Sequence, residues 1–278
     1  MSGRYYSNSQ IPEGINTSAA HPALTFLKLM IAFVLIVTIS GWLLGKSGGY
    51  VFSLVPFEKE VELAALYPDD IEETNLEMQD YLGGLIEKIV QAMNLPKVMK
   101  IHVHYVEDET KNAFATLGGH LFVHKGLLSQ LSNENTITML LAHEVAHIKH
   151  RDPIRSLGQE LAISSGMALL LGKSDIRLLG KSGLYTNLQF SREMELSCDR
   201  EAVNALVAIY GHANGASELF HVLASLTEDE LIQEPDFFVT HPQSENRIAE
   251  ITALVTKAKW STSEETVALP DEFNLWLE

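Results

Sequence analysis

The sequence predicts an α+β protein that is mostly helical, with a small β unit beside one buried helix and an N-terminal transmembrane helix. Three observations support this prediction: a long uncharged apolar run early in the chain, several stretches of helical apolar periodicity, and two short β-prone runs around a Gly-Gly pair. At 278 residues the chain suits one large domain with appendages. Its hydrophobic fraction of 46% allows a sizeable core.

Composition limits the classes of function. The chain has 36 acidic and 20 basic residues, a formal net charge of −16. This balance argues against a nucleic-acid binder, because such proteins present a basic surface. Cys198 is the single cysteine, so an internal disulfide and a multi-cysteine metal site are both excluded. Any metal ligands must therefore come from histidines and carboxylates.

The N-terminal region consists of a polar leader and an apolar helix. Residues 1–22 are rich in Ser, Asn and Gly and are expected to be disordered. Residues 29–45 contain 17 amino acids without a charge, and five further residues on the N-terminal side give about 33 Å of helix, enough to cross a bilayer. We assign a transmembrane anchor to residues 23–46, ended by Gly48-Gly49. A cleaved signal peptide is the alternative, disfavoured by the long polar leader.

Helix and strand signals alternate in the next part of the chain. An amphipathic helix is predicted for residues 69–94, with Pro96 just beyond its end. Residues 101–106 (IHVHYV) alternate like a strand and place His102 and His104 on its polar face. We interpret both histidines as the solvent side of a half-exposed strand, with metal ligation as the alternative.

A β-hairpin is predicted immediately afterwards. Residues 112–117 (NAFATL) and residues 120–124 (HLFVH) are β-prone and flank Gly118-Gly119. Both glycines accept the positive φ angles of a tight turn. A short helix over residues 126–131 follows.

The stretch LLAHEVAHIKHR, residues 140–151, contains an H-E-x-x-H pentad in an apolar run that favours a buried helix. On a helix, positions four apart share a face, so His143 and His147 can reach one metal ion. Glu144 lies close enough to poise a metal-bound water. Asn133 is a plausible N-cap of this helix, and Asp152-Pro153 ends it. Satisfied core histidines are the alternative interpretation.

A third metal ligand is expected from a helix further along the chain, because a catalytic zinc ion needs three protein ligands and an open position. In the helix predicted for residues 190–209, Glu195 and Asp199 are four apart and share a face. Glu195 would bind the metal while Asp199 orients a ligand histidine. A solvated charged helix is the alternative. His150 is about 10.5 Å along the helix axis from His143, too far to share the ion.

The remaining segments are mainly helical. Residues 157–172 are apolar but too short to span a membrane, which favours a buried or membrane-surface helix. Residues 214–225 and 246–258 are predicted helices, and residues 232–246 are a predicted loop that contains Thr240-His241-Pro242.

Four motifs in order resemble the membrane-associated zinc peptidase family M48, which includes the CaaX prenyl proteases and the HtpX, BepA, LoiP and OMA-type proteases. They are the N-A-F-A segment, H-E-x-x-H, the pattern S-R-x-x-E-x-x-x-D at residues 191–199, and Thr-His-Pro followed by an arginine. The resemblance covers about residues 50–255, and the single anchor favours the OMA- or LoiP-like subgroup. It implies a zincin-type (gluzincin) peptidase domain over residues 50–278.

The resemblance also implies roles for individual residues around one zinc ion per chain. His143, His147 and Glu195 would be the zinc ligands, and Glu144 would be the general base. Asp199 would be the carboxylate behind a ligand histidine. His241 would lie near the metal as an oxyanion stabiliser or a gate, and Arg247 would support it. Cys198 is a departure, because the family usually has Ala there.

The expected function is a membrane-anchored, zinc-dependent endopeptidase that cleaves unfolded or misassembled membrane and envelope proteins by Glu-assisted attack of zinc-bound water. The substrate would add a strand along Asn112, Ala113, Phe114 and Ala115. The expected partners are such substrates and, through the anchor, membrane lipid, without nucleic acid and with an oligomer permitted. The expected location is the bacterial inner membrane, single-pass, with a periplasmic catalytic domain. The alternative is a membrane-anchored chaperone or assembly factor that binds client chains with little turnover.

Overall fold

The structure is a computed structural model that describes residues 22–66, 75–171, 190–229, 237, 241 and 245–278. The disorder expected of the N-terminal leader and most of the loop predicted for residues 232–246 lie outside the described residues. The chain divides into two compact units, Met1–Leu43 and Leu44–Glu278.

Helices make up most of the described chain, and the predicted fold class is confirmed. The helices are α1 (Pro22–Ser53), α2 (Phe57–Ala64), α3 (Leu76–Ala92), α4 (Lys125–Leu128), α5 (Glu134–Lys149), α6 (Asp152–Leu171), α7 (Arg192–Tyr210), α8 (Ala216–Asp229), α9 (Glu245–Ala258) and α10 (Phe273–Trp276). The strands are β1 (His102–Val106), β2 (Ala113–Ala115) and β3 (His120–His124).

In the first unit, the described residues belong to α1 and are mostly exposed. By length and composition this helix is able to cross a membrane. Its 32 residues extend beyond the predicted anchor, because α1 continues through Gly48 and Gly49 to Ser53. The prediction that this glycine pair ends the helix was therefore wrong.

Within the second unit, the same two glycines allow the last turns of α1 to pack closely against α6. A Cβ atom at Gly48 would lie 2.2 Å from the carbonyl oxygen of Gly158, and one at Gly49 would lie 2.9 Å from the Gln159 side chain. Small residues let two helix backbones approach in this way. The segment predicted as a buried or membrane-surface helix is the larger part of α6, in which Leu157 is buried and Ile163 is 42% exposed.

The three strands form one sheet with the order β1-β3-β2. β1 is parallel to β3, and β2 is antiparallel to β3, so the predicted hairpin is confirmed. Its turn is the single 3₁₀ turn Leu117–Gly119, in which Gly118 has φ +74° and Gly119 has φ +88°. On the outer face of β1, His102 is exposed and His104 is half-buried, which confirms the half-exposed strand.

Helix α5 lies at the centre of the second unit, where α3, α7, α8 and β2 all contact it. Every residue from Glu134 to Ile148 is buried, as its nearly all-round apolar pattern predicted. The predicted N-cap is confirmed, because Asn133 Oδ1 accepts a hydrogen bond from the Thr136 amide at 2.9 Å. α3 begins at Leu76 after its own cap, Asn75, later than predicted; residues 67–74 lie outside the described residues.

Candidate metal centre

Two helices bring the predicted ligands together. α5 presents His143 and His147 on one face, with their Nε2 atoms 3.1 Å apart. Glu195, in the first turn of α7, lies opposite, with Oε2 3.4 Å from His143 Nε2 and Oε1 3.4 Å from His147 Nε2. All three side chains are buried.

His241 completes a group of four possible ligands. Its Nδ1 lies 3.1 Å from Glu195 Oε1 and 3.4 Å from His143 Nε2. The candidate ligand atoms of His143, His147, Glu195 and His241 all lie within 4.8 Å of one another. The Nε2 atom of His241 is 3.4 Å from Glu144 Oε1, so this imidazole also faces the predicted general base.

These residues fit a zinc ion. Three imidazoles and one carboxylate are among the ligands that zinc prefers, and bonds of about 2.1 Å in a tetrahedron separate neighbouring ligand atoms by about 3.4 Å. Neither carboxylate oxygen of Glu144 has a hydrogen-bond partner among the described residues, although the side chain is fully buried. A buried carboxylate is costly without a partner, and a species bound at this centre would supply one.

Asp199 lies behind His143, one of the candidate ligands. Its Oδ1 lies 3.0 Å from His143 Nδ1, which directs the Nε2 atom of that ring to the centre. Arg247 donates from Nε to Asp199 Oδ2 at 2.8 Å and from Nη2 to Oδ1 at 2.7 Å. Its Nη1 lies 2.9 Å from Glu195 Oε2. The guanidinium therefore binds the two carboxylates rather than His241 itself.

Electrostatics at the centre favour a cation. Burial alone would raise the pKa of Asp199, but hydrogen bonds from Arg247 and His143 outweigh it and hold the pKa below its usual value. Burial likewise acts to lower the pKa of His143, and Asp199 and Glu195 reverse that effect and raise it. Around the imidazoles, the carboxylates of Glu144, Glu195, Asp199 and Asp152 outnumber the guanidinium groups of Arg247 and Arg155.

Asp152 also lies at this site, although its place in the sequence predicted only the end of a helix. Its Oδ2 lies 3.0 Å from His147 Nδ1, and Arg155 donates to its other oxygen at 2.9 Å. Each of the two α5 histidines therefore has its own carboxylate. The sequence feature that could have indicated this contact is an acidic residue five positions after His147, where the chain turns back beneath α5. Cys198 Sγ also lies 3.3 Å from His147 Nδ1.

Two aromatic rings cover the centre, and the sequence patterns did not indicate either. Phe190 stacks on His147 with ring centroids 4.0 Å apart, and Phe237 stacks on His241 at 4.5 Å. Phe190 directly precedes the N-cap of α7. Both rings are buried, so the four candidate ligands are shielded from solvent in this conformation.

The predicted substrate strand, β2, is an edge strand beside α5. The Thr116 amide donates to the His120 carbonyl at 2.8 Å and the His124 amide donates to the Asn112 carbonyl at 3.1 Å. This alternation turns the N–H and C=O groups of Ala113 and Ala115 away from β3. Among the described residues those groups have no hydrogen-bond partner, although Ala113, Phe114 and Ala115 are all buried in this conformation. Phe114 points to the outer face, where its ring stacks on Phe122.

An H-E-x-x-H helix with a glutamate ligand from a second helix defines a metallopeptidase of the gluzincin type. Residues 77–255 match the model of peptidase family M48. This match covers more than half of the chain, and the chain therefore belongs to peptidase family M48. Helix α2 precedes the matched residues.

Relatives of this chain include proteins named as proteases of three kinds. The chain is 27% identical over 184 residues to the mitochondrial metalloendopeptidase OMA1 of Schizosaccharomyces pombe, covering 64% of this chain and 53% of that protein. It is 26% identical over 189 residues to a putative beta-barrel assembly-enhancing protease of Vibrio cholerae, covering 62% of this chain and 38% of that protein. It is 32% identical over 140 residues to the protease HtpX of Legionella pneumophila, covering 47% of this chain and 48% of that protein. The chain thus spans about half or less of the length of these relatives.

Proposed function

We propose that this protein is a membrane-anchored zinc endopeptidase that cleaves unfolded or misassembled membrane and envelope proteins. The observation that carries the proposal is the convergence of His143, His147 and Glu195 beside Glu144, a buried carboxylate with no hydrogen-bond partner among the described residues. Membership of a metallopeptidase family supports the reaction class. A relative named for beta-barrel assembly supports envelope proteins as substrates.

The chain's own residues divide the chemistry between them. His143, His147 and Glu195 would hold the zinc ion, which supplies a Lewis acid that polarises the scissile carbonyl and acidifies water. Glu144 accepts a proton from the attacking water and delivers it to the leaving amine. Asp199 Oδ1 lies 3.0 Å from His143 Nδ1, and Asp152 accepts a hydrogen bond from His147 Nδ1. The two carboxylates so keep the Nε2 lone pairs of the histidines directed inward.

His241 acts as a gate in this proposal. Its imidazole lies against two ligands and Glu144, in the space that a substrate carbonyl needs. The Phe237 amide donates to the Lys111 carbonyl at 3.3 Å, beside the start of the edge strand. Withdrawal of Phe237 and His241 together would therefore free both the metal centre and the strand that receives substrate.

The substrate would pair in an extended conformation with the edge of β2 that withdrawal of Phe237 and His241 uncovers. The outward N–H and C=O groups of Ala113 and Ala115 supply the main-chain hydrogen bonds of an added strand. Recognition through the backbone depends little on side chains, which suits a protease that acts on many unfolded chains. The proposed location is the bacterial inner membrane, with α1 as a single-pass anchor and the catalytic domain in the periplasm.

The test is Glu144→Gln in the full-length chain. We expect this variant to keep its zinc, measured by elemental analysis, and to lose cleavage of unfolded casein and of the protein itself. Glu193→Gln is the matched control, because the Glu193 side chain is 86% exposed on α7. Casein cleavage by Glu144→Gln at the wild-type rate would refute the mechanism. Casein bound by the zinc-loaded wild type without cleavage would instead favour the chaperone or assembly factor.

A further inference from the structure

Glu60 is a buried carboxylate in α2, the helix that begins four residues after α1 ends. Its residue is 1% exposed, and burial raises its pKa although the neighbouring Arg151 acts in the opposite direction. A carboxylate in this position costs free energy unless its partners are well arranged. α2 precedes the residues that match the family model.

The two oxygens of Glu60 bind two parts of the peptidase domain that are distant in sequence. Oε1 accepts a hydrogen bond from the Gly118 amide at 3.1 Å. Oε2 accepts from Arg151 Nε at 2.7 Å and lies 2.7 Å from Arg151 Nη2. One side chain therefore links the hairpin turn to the C-terminal end of the active-site helix.

The Gly118 end of this link controls the edge strand. Gly118 lies in the turn that follows β2, and it has a positive φ of 74°. A Cβ atom at Gly118 would come within 2.9 Å of Ala64 Cβ, so the turn rests directly on α2. A shift of Glu60 would move the end of the strand that offers the Ala113 and Ala115 backbone groups.

The Arg151 end controls the carboxylate behind a metal ligand. Arg151 joins α5 to α6 with φ +60°, a left-handed conformation that costs free energy for a residue with a side chain. Besides Glu60, its guanidinium binds the Val55 carbonyl at 2.8 Å and lies over the Phe57 ring at 5.4 Å. The next residue is Asp152, which accepts the hydrogen bond of His147. The contacts of Arg151 thus set where Asp152 lies.

We propose that Glu60 is a positioning residue that holds the substrate-binding edge strand and the α5–α6 turn at a fixed separation. The segment directly after the membrane helix then helps to position the residues of the active site. This inference rests on the proposed function, because it assigns the strand and the centre their roles in peptide hydrolysis.

Two substitutions separate the two contacts. Glu60→Gln keeps an oxygen that accepts from Gly118 but removes the charge that binds Arg151. Glu60→Ala removes both contacts. Arg151→Gln removes the same ion pair from the other side, together with the contacts of Arg151 to the Val55 carbonyl and the Phe57 ring. Glu58→Gln is the matched control, because it makes the same chemical change on an exposed position of α2.

The first measurement is the hydrolysis of unfolded casein by the full-length, zinc-loaded protein in detergent micelles. We expect Glu60→Gln to lower kcat/KM about tenfold, corresponding to about 1.4 kcal/mol, mainly through KM, and Arg151→Gln to lower it at least as much. Glu60→Ala should lower kcat/KM more than Glu60→Gln, and the double variant Glu60→Gln/Arg151→Gln should match Arg151→Gln. Glu58→Gln should match the wild type. Unchanged kcat/KM in Glu60→Ala, or losses that multiply in the double variant, would overturn the proposal.

The second measurement does not depend on hydrolysis. In the Glu144→Gln background, amide hydrogen exchange over residues 113–119 should become faster in Glu60→Ala than in Glu60→Gln, while exchange in α3 stays unchanged. A uniform change across the domain with a lower melting temperature would show a purely structural role and overturn the proposal. If the wild type cleaves nothing, the proposed function fails, and exchange alone decides whether Glu60 positions the strand.

Discussion

Replacement of Arg247 by methionine tests the charge balance of the metal centre. Arg247 lies in α9, is 4% exposed, and binds Asp199 and Glu195 with contacts between 2.7 and 2.9 Å. Methionine preserves an unbranched apolar stem and removes the guanidinium. The substitution therefore leaves two buried carboxylates without their cationic partner.

The cost follows from that burial. Removal of one partner from a buried ion pair destabilises a protein by about 3–5 kcal/mol, a large part of the roughly 5–15 kcal/mol that holds a typical domain folded. Asp199 also orients His143, and loss of such support lowers metal affinity by about 10–100-fold. We therefore expect both effects in Arg247→Met.

The assays are urea denaturation of the metal-free, full-length chain in detergent and competition titration of zinc with a chelator. Arg200→Met is the matched control, since Arg200 and Glu250 join the same two helices, α7 and α9. Their charged atoms are 3.9 Å apart, and the side chains are 53% and 52% exposed. Exposed pairs contribute about 0–1 kcal/mol, so the control should change stability little.

An equal loss in the two variants would refute this reasoning, because it would mean that burial does not distinguish the two ion pairs. If Arg247→Met lowered the free energy of unfolding by less than about 1 kcal/mol, the reasoning would also be refuted, because the buried pair would contribute no more than an exposed one. Normal zinc affinity together with reduced stability would separate the two roles and remove Arg247 from the support of His143.

Two further predictions concern histidines. Asp152→Asn should lower zinc affinity by about 10–100-fold without unfolding the chain, because His147 loses its carboxylate; affinity equal to that of the wild type would contradict this. Burial, aided by His120 and His102, lowers the pKa of His104 from 6.5 to about 4. Between these two pH values His104 is therefore protonated in the unfolded chain and neutral in the folded chain. The free energy of unfolding should keep its full value above pH 6.5 and should fall by at most about 3 kcal/mol as the pH is lowered towards 4. His104→Gln should flatten that slope in the metal-free protein, and identical slopes would exclude His104 as its source.

The part of the site that sequence predicts best is the part encoded locally. His143, Glu144 and His147 share one helix, and both their spacing and the Asn133 cap can be recognised without knowledge of the fold. Glu195 and Asp199 are also spaced locally, but the same spacing suits a solvated helix. Their assignment to the metal required the family resemblance, since only packing of α7 on α5 brings them to the histidines.

The features that sequence did not indicate depend on contacts between distant segments. Phe190 and Phe237 are ordinary apolar residues until the fold stacks them on His147 and His241. Asp152 was predicted to mark the end of a helix, and its contact with His147 was not predicted. Gly48-Gly49 shows the same limit, because glycine marks a helix end in many sequences and a close helix–helix contact here. The membrane orientation of the domain stays a prediction.

The burial of the four candidate ligands has a kinetic consequence. A chelator in solution reaches a metal ion at this centre only after the rings of Phe190 or Phe237 move aside. At high chelator concentration the rate of metal removal should therefore level off at the rate of opening, as in other processes limited by a local structural fluctuation. Timed metal removal would thus measure how often the centre opens, in the absence of any substrate.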